Sequence, residues 1–335
     1  MKMVKGLFLS LLVLAAVLSG CQKKEPAPGA GQSAAGPKKI AMMFGLGGLG
    51  DKGFNDDGLR GLETAKQQLG IDYQYVEPRE IAEFEGHLRS FARSGQYELI
   101  MGIGFDQASA MSTVAKEFPG QHFTLIDGVG ETLPNLESVT FRDHEKTYMI
   151  GIIAAMTTRT NKLGFVGGMD IPSINMFAAG YRAGIQSVNP AIQLSIRYVG
   201  AWNDTNTGKE LARQLYDTGA DIVYVAAGGS GLGVFSAAAD TNKLAIGCDV
   251  NQIPNDPAHI FLSSIRRVDN TVFGEIKKIL GGQFTGGMVS VGLKEGALTY
   301  TTEGAQVKTP QDIIDRAEQA RQDIIDGKIT VPEQL

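Results

Sequence analysis

Aspartate and aromatic residues recur where short apolar runs give way to helical stretches, the positions from which an open α/β sheet presents side chains to a ligand. After the first run come Gly45, Gly47 and Gly50, followed by Asp51, Phe54, Asn55, Asp56 and Asp57. Later turns carry Phe105 with Asp106, then Asp127, Trp202 with Asp204, the glycines around Gly228, and Asp249. Three chemistries compete for this set. The glycines satisfy G-x-G-x-x-G, and Glu77 ends the second run, as in a dinucleotide-binding turn. Against that reading, Asp51, Asp56 and Asp57 crowd a helix start where a pyrophosphate needs bare N–H groups and positive potential. Hydrolysis is disfavoured because Gly229-Ser230-Gly231 lacks the G-x-S-x-G frame and Cys248 has no histidine close in sequence. His87, His122, His144 and His259 are scattered, so neither a metal nor a cofactor is expected. The third chemistry is reversible capture of a small molecule between rings and carboxylates. Each residue also has a plainer role open to it. Phe54 can anchor the first helix in the core, Trp202 can pack a hinge, and Asn55, Asp127 and Asp249 can cap helices.

The elements that must position these residues alternate in type. Strands are predicted at 40–44, 72–76, 99–103, 123–126 and 138–141, with helical spacing over 59–69 and 83–94 between them. The alternation restarts with strands at 163–166, 194–198, 222–226 and 244–247 and helices at 178–188 and 208–218. A helix over 270–280, a strand over 289–292 and a helix over 310–326 close the chain. This is βαβ repetition in two halves, an α/β chain of two doubly wound lobes crossed more than once by the backbone. The boundaries are read as a first lobe from 39–142 plus 250–285, and a second from 143–249 plus 286–335.

Length and charge agree. The chain of 335 residues exceeds the roughly 250 to 300 that one core usually covers. With 31 Lys plus Arg against 36 Asp plus Glu and a net charge of −5, nucleic acid is not an expected partner. Residues 1–20 carry Lys2 and Lys5 before an apolar run from Leu7 to Leu18, which reads as an export signal too short for a mature membrane span. The run ends in Leu18-Ser19-Gly20-Cys21, which resembles the lipobox of bacterial lipoproteins and implies acylation of Cys21 after cleavage. Residues 21–38, rich in Pro, Ala, Gly and Lys, then form a flexible tether, placing the body at a membrane surface facing the periplasm or the cell exterior. Cys248 is left without a disulfide partner and reads as a small core residue.

The ordered set Asp51-Lys52-Gly53-Phe54-Asn55, Gly102-Ile103-Gly104-Phe105, Asp127-Gly128 and Gly164-Phe165-Val166-Gly167-Gly168 resembles the basic membrane protein family. Phe177-Ala178-Ala179-Gly180-Tyr181, Trp202-Asn203-Asp204, Ala226-Ala227-Gly228 and Ile246-Gly247-Cys248-Asp249 continue the match from about Lys39 to beyond Asn270. The resemblance implies a type I periplasmic-binding fold with a multi-strand hinge, and a monomeric, non-enzymatic lipoprotein that hands purine nucleosides to the permease and ATPase of an ABC importer. It implies a base held between Phe54 and Trp202, base-edge contacts from Asn55 and Asp127, close backbone approach at Gly228, and ribose hydroxyls on Asp249. Arg266 is the aligned choice where the family often has Lys, Trp202 stands where Phe is common, and Gly53 replaces a frequent Ser. These departures leave room for a flavin or another heterocycle as cargo. A nucleoside-processing enzyme outside the cytoplasm, and a lipoprotein that serves signalling or adhesion instead of import, are the remaining alternatives.

Overall fold

A computed structural model describes residues 36–335; residues 1–35, which include the export signal, Cys21 and most of the expected tether, lie outside the described residues. The first run of elements is β1 (Lys39–Met43), α1 (Phe54–Leu69), β2 (Asp72–Val76), α2 (Phe84–Ser94), β3 (Leu99–Ile103), α3 (Ala108–Glu117), β4 (Phe123–Ile126) and β5 (Leu136–Phe141). Next come α4 (Asp143–Thr157), β6 (Lys162–Gly167), α5 (Pro172–Val188), β7 (Gln193–Tyr198), α6 (Thr205–Asp217), β8 (Ile222–Ala226), α7 (Gly231–Thr241), β9 (Leu244–Gly247) and β10 (Ile260–Arg266). The chain ends with α8 (Val268–Leu280), β11 (Gly287–Val291), β12 (Leu298–Thr301) and α9 (Gln311–Ile325).

Two six-stranded sheets result, in the orders β11-β5-β4-β3-β1-β2 and β12-β10-β9-β8-β6-β7. Every pairing is parallel except that of β10 with β12. Burial explains the central strands. β3 (LIMGI) and β8 (IVYVA) are buried at every position, as expected of parallel strands covered by helices on both faces. The edge strands β2 and β11 have no buried position, β2 being mostly half-buried and β11 mostly exposed.

The sheets correct the lobe boundaries read from sequence. Residues 250–266 belong to the second lobe, because β10 hydrogen-bonds to β9 and β12 there. Only from α8, which packs on α1, does the chain return to the first lobe, and β11 stays in it by pairing with β5. The chain goes back to the second lobe for β12 and α9. The hinge thus consists of three crossings, at 141–143, 266–268 and 291–298. Arg142 laces two of them: its guanidinium donates to Ser290 O at 2.7 Å and to Glu145 Oε1 at 2.6 Å, while Arg142 N donates to Val291 O at 2.8 Å. The third is tied in by Arg267 N, which donates to Ala297 O at 2.9 Å.

Candidate ligand-binding site

The carboxyl ends of both sheets face one another across the hinge, and the strand-to-helix turns of both lobes line a single cavity. Phe54, Asn55, Asp127, Trp202, Gly228, Asp249 and Arg266 all border it. So do Gly45, Gly47, Asp51, Phe105 and Asp106 from the first lobe and Ser173, Ile174, Phe177 and Cys248 from the second. The lobes touch beside it, where Gln252 Nε2 donates to Lys52 O at 3.0 Å.

The loop after β1 is built around its own carboxylates. Asp51 accepts the N–H groups of Gly53, Asn55 and Asp56 at 2.9, 2.9 and 3.2 Å, and Asp56 accepts those of Gly50 and Lys52 at 2.7 and 3.0 Å. Glu77 accepts Leu49 N at 2.9 Å. The groups a pyrophosphate would need are therefore spent, which accounts chemically for why the G-x-G-x-x-G spacing here is not a dinucleotide turn. Asn55 belongs to the same framework. Its Oδ1 accepts Gly45 N at 3.0 Å and its Nδ2 donates to Asp51 at 3.2 Å, so each end of the amide has one of its two hydrogen-bonding positions committed to the loop.

Trp202 stands on the loop after β7. Its carbonyl accepts Ser230 N at 3.0 Å, and the Ser230 hydroxyl donates to Ala201 O at 2.9 Å while accepting Asp204 N at 2.8 Å. Asp204 in turn caps α6 through Thr207 N at 3.0 Å. Ser230 is thereby committed to holding the tryptophan loop, and no proton-accepting base is hydrogen-bonded to it. Phe105 approaches the indole edge-on, with ring centroids 6.4 Å apart.

The charged groups of the cavity centre on Arg266, the last residue of β10. It is only 4% exposed, and its guanidinium carbon lies 5.0 to 5.3 Å from the ring centroids of Phe54, Phe141 and Phe177. Nη1 is 2.7 Å from Asp127 Oδ2, and Nε is 3.3 Å from Asp249 and 3.5 Å from Asp143. Burial opposes the charge, but Asp127, Asp143 and Asp249 outweigh it and hold the guanidinium protonated. Despite these short separations, Nη1, Nε and Asp249 Oδ1 are buried without hydrogen-bond geometry to any acceptor or donor among the described residues. Asp127 and Asp249 both adopt left-handed backbone, with φ of 63° and 66°, and neither caps a regular helix.

From sequence, Asp106 reads only as one of the strand-end candidates with no role of its own, and Phe177 does not read as a site residue. Burial, with Asp127 nearby, pushes the Asp106 carboxyl up to about 6. Phe177 points inward from the first turns of α5, together with Ser173 and Ile174, a helical spacing that could have exposed it. Cys248 is buried beside Asp249, and burial pushes its thiol up to about 12, which leaves it a poor nucleophile. Among the described residues no cluster of His, Cys, Asp and Glu is arranged to hold a metal.

Two parallel lobes with a polar and aromatic cavity between their carboxyl edges define a two-lobed binding protein of the solute-receptor class. The profile of the Bmp family, described as ABC transporter substrate-binding protein PnrA-like, matches residues 38–334, and the chain belongs to that family. It is 34% identical to the ABC transporter nucleoside-binding protein BmpA of Lactococcus lactis, over 96% of each chain. An uncharacterized lipoprotein of Pyrococcus furiosus is 32% identical over 97% of this chain and 87% of its own. Among solved structures, a solute-binding protein of an ABC transporter system from Aeropyrum pernix superposes with a TM-score of 0.82 at 32% identity, covering 88% of this chain and 94% of its own. The arabinose-binding AraP of Geobacillus stearothermophilus, at 13% identity and a TM-score of 0.63, covering 84% of this chain and 99% of its own, shares the fold alone.

Proposed function

We propose that this substrate-binding protein captures purine nucleosides between its lobes and delivers them to the permease and ATPase subunits of an importer. The observation that carries this reading is the pairing of aromatic walls with unspent polar atoms. Trp202, Phe54 and Phe105 offer faces for a neutral ring, and base-on-aromatic stacking contributes about 1 to 3 kcal/mol per base. Asp249 Oδ1, without a protein partner, is poised to accept from ribose hydroxyls, and Arg266 to donate to them or to a ring substituent. Asp127 accepts from the base edge and Asn55 donates to it through its remaining N–H. Several carboxylates against one cation suit a donor-rich neutral ligand and repel an anionic one. The relative in Lactococcus lactis, named a nucleoside-binding protein, supports the same cargo.

Capture requires movement. The cavity measures about 80 Å³, below the roughly 150 Å³ of an engineered hole that admits benzene. A nucleoside therefore enters with the lobes parted, and closure is favoured by the contacts that the open state lacks. No covalent bond changes. Acylation of Cys21 would hold this monomeric receptor at the membrane, outside the cytoplasm, and relatives named as lipoproteins support that placement. A flavin is the second reading, favoured by Trp202, whose indole is a larger platform than a phenyl ring. The test is to denature the purified protein and identify the released small molecule by mass spectrometry. A purine nucleoside upholds the proposal, a flavin moves the cargo to the second reading, and any other heterocycle or an unrelated compound rejects both.

A further inference from the structure

Trp202 is the sole tryptophan of the chain, and its ring lies against the backbone at Gly168. A Cβ placed on Gly168 would overlap Cζ3 of the indole, meet Cε3 at 2.5 Å and meet Cη2 at 3.1 Å. A Cβ on Gly228 would lie 3.6 Å from the same Cε3, and one on Gly47 would lie 3.6 Å from the Trp202 Cβ. Gly168 cannot yield. Its N–H donates to Ala226 O at 2.9 Å and its carbonyl accepts Gly200 N at 2.7 Å, which ties it to the ends of β8 and β7. Nor does its backbone demand glycine, since its φ is not in the left-handed region. Its lack of a side chain is explained by the ring above it.

We infer that Gly168 is a positioning residue that fixes the height of the Trp202 ring in the cleft and so sets the thickness of ring the site accepts. This rests on the reading in which Trp202 stacks on the cargo. Alanine at 168 needs a carbon-to-carbon separation near 3.5 Å, so the indole must ride up into the cleft by about an ångström while the rest of the fold stays in place. A smaller ring at 202 removes the conflict.

The experiment is a double-mutant cycle on the full chain, with Gly168→Ala and Trp202→Ala singly and together and inosine as the probe. In the ligand-free protein, Gly168→Ala shifts the emission maximum and acrylamide quenching of the single tryptophan while the circular dichroism spectrum is unchanged. Its inosine affinity falls about tenfold in the Trp202 background, less than twofold in the Trp202→Ala background, and is restored towards wild type in Gly168→Ala/Trp202→Phe. Equal losses in both backgrounds, or unaltered emission and quenching, overturn the inference. Should Trp202→Ala bind inosine like the wild type, the stacking reading fails by itself, while emission and quenching still decide whether Gly168 places the ring.

Discussion

Arg266 Nη1 lies 2.7 Å from Asp127 Oδ2, joining the last residue of β10 in the second lobe to the end of β4 in the first. One buried cation thus sits where the lobes meet, facing Asp127, Asp143 and Asp249 and boxed by three phenyl rings. Removing it leaves Asp127 and Asp249 without their cation, while Asp143 keeps its buried partner Lys146, and breaking a buried pair costs about 3 to 5 kcal/mol. Arg266→Met is therefore expected to lower the melting temperature substantially and to abolish ligand binding, whereas Arg266→Lys keeps most of the stability but loses the fork that reaches two partners. Thermal melts of both variants check this; a methionine variant as stable as the wild type contradicts it.

Asn55 is expected to act on the fold as much as on the ligand. Its side chain satisfies Gly45 N and Asp51, both buried residues of the loop after β1. Asn55→Ala leaves Gly45 N unpaired and takes one of four donors from Asp51, and should destabilise the protein by about 1 to 3 kcal/mol. Urea unfolding measures it, and loss of affinity at unchanged stability would show that Asn55 serves the ligand alone.

Asp249→Ala should reduce affinity for a nucleoside by at least tenfold more than for the matching free base, since its unpartnered oxygen is assigned to ribose. Calorimetry with inosine and hypoxanthine provides the comparison. Equal losses for the two would remove the sugar from Asp249.

A second buried charge cluster lies away from the cleft. Glu137 on β5 is fully buried, Glu275 on α8 faces it, Lys278 pairs with Glu137, and an oxygen of each carboxyl lacks a partner. Burial, then the neighbouring Glu137, pushes the Glu275 carboxyl from an ordinary 4.5 up to about 8. A carboxyl raised on folding contributes stability that is fully present below pH 4.5 and is lost as pH rises through about 8. Glu275→Gln should flatten the decline in urea midpoint between pH 5 and pH 9, and an unchanged slope would place the proton elsewhere.

The lobes were legible because their strands read as short apolar runs at regular spacing. β10 escaped because Ser263 and Ser264 break its run, although both are fully buried and hydrogen-bonded, Ser264 to the Tyr224 hydroxyl at 2.8 Å. That omission displaced the lobe boundary. α4 escaped for the opposite reason: it is buried on most faces between α5 and α9, so it shows no apolar stripe, and it carries the buried pair Asp143 and Lys146. Phe54, Trp202, Asp127 and Asp249 could be placed because a strand end fixes where a side chain emerges. That Arg266 reaches the carboxylates of both lobes depends on β10 crossing at the hinge, a relation between residues more than a hundred positions apart.

The most direct measurement of the central claim is calorimetric titration of the protein, freed of bound small molecules by unfolding and refolding, with inosine, guanosine, adenosine, their free bases and riboflavin. The account predicts submicromolar binding of at least one purine nucleoside at one site per chain, and weaker binding of the corresponding base. Binding of riboflavin alone, or of none of these compounds by correctly refolded protein, would contradict it.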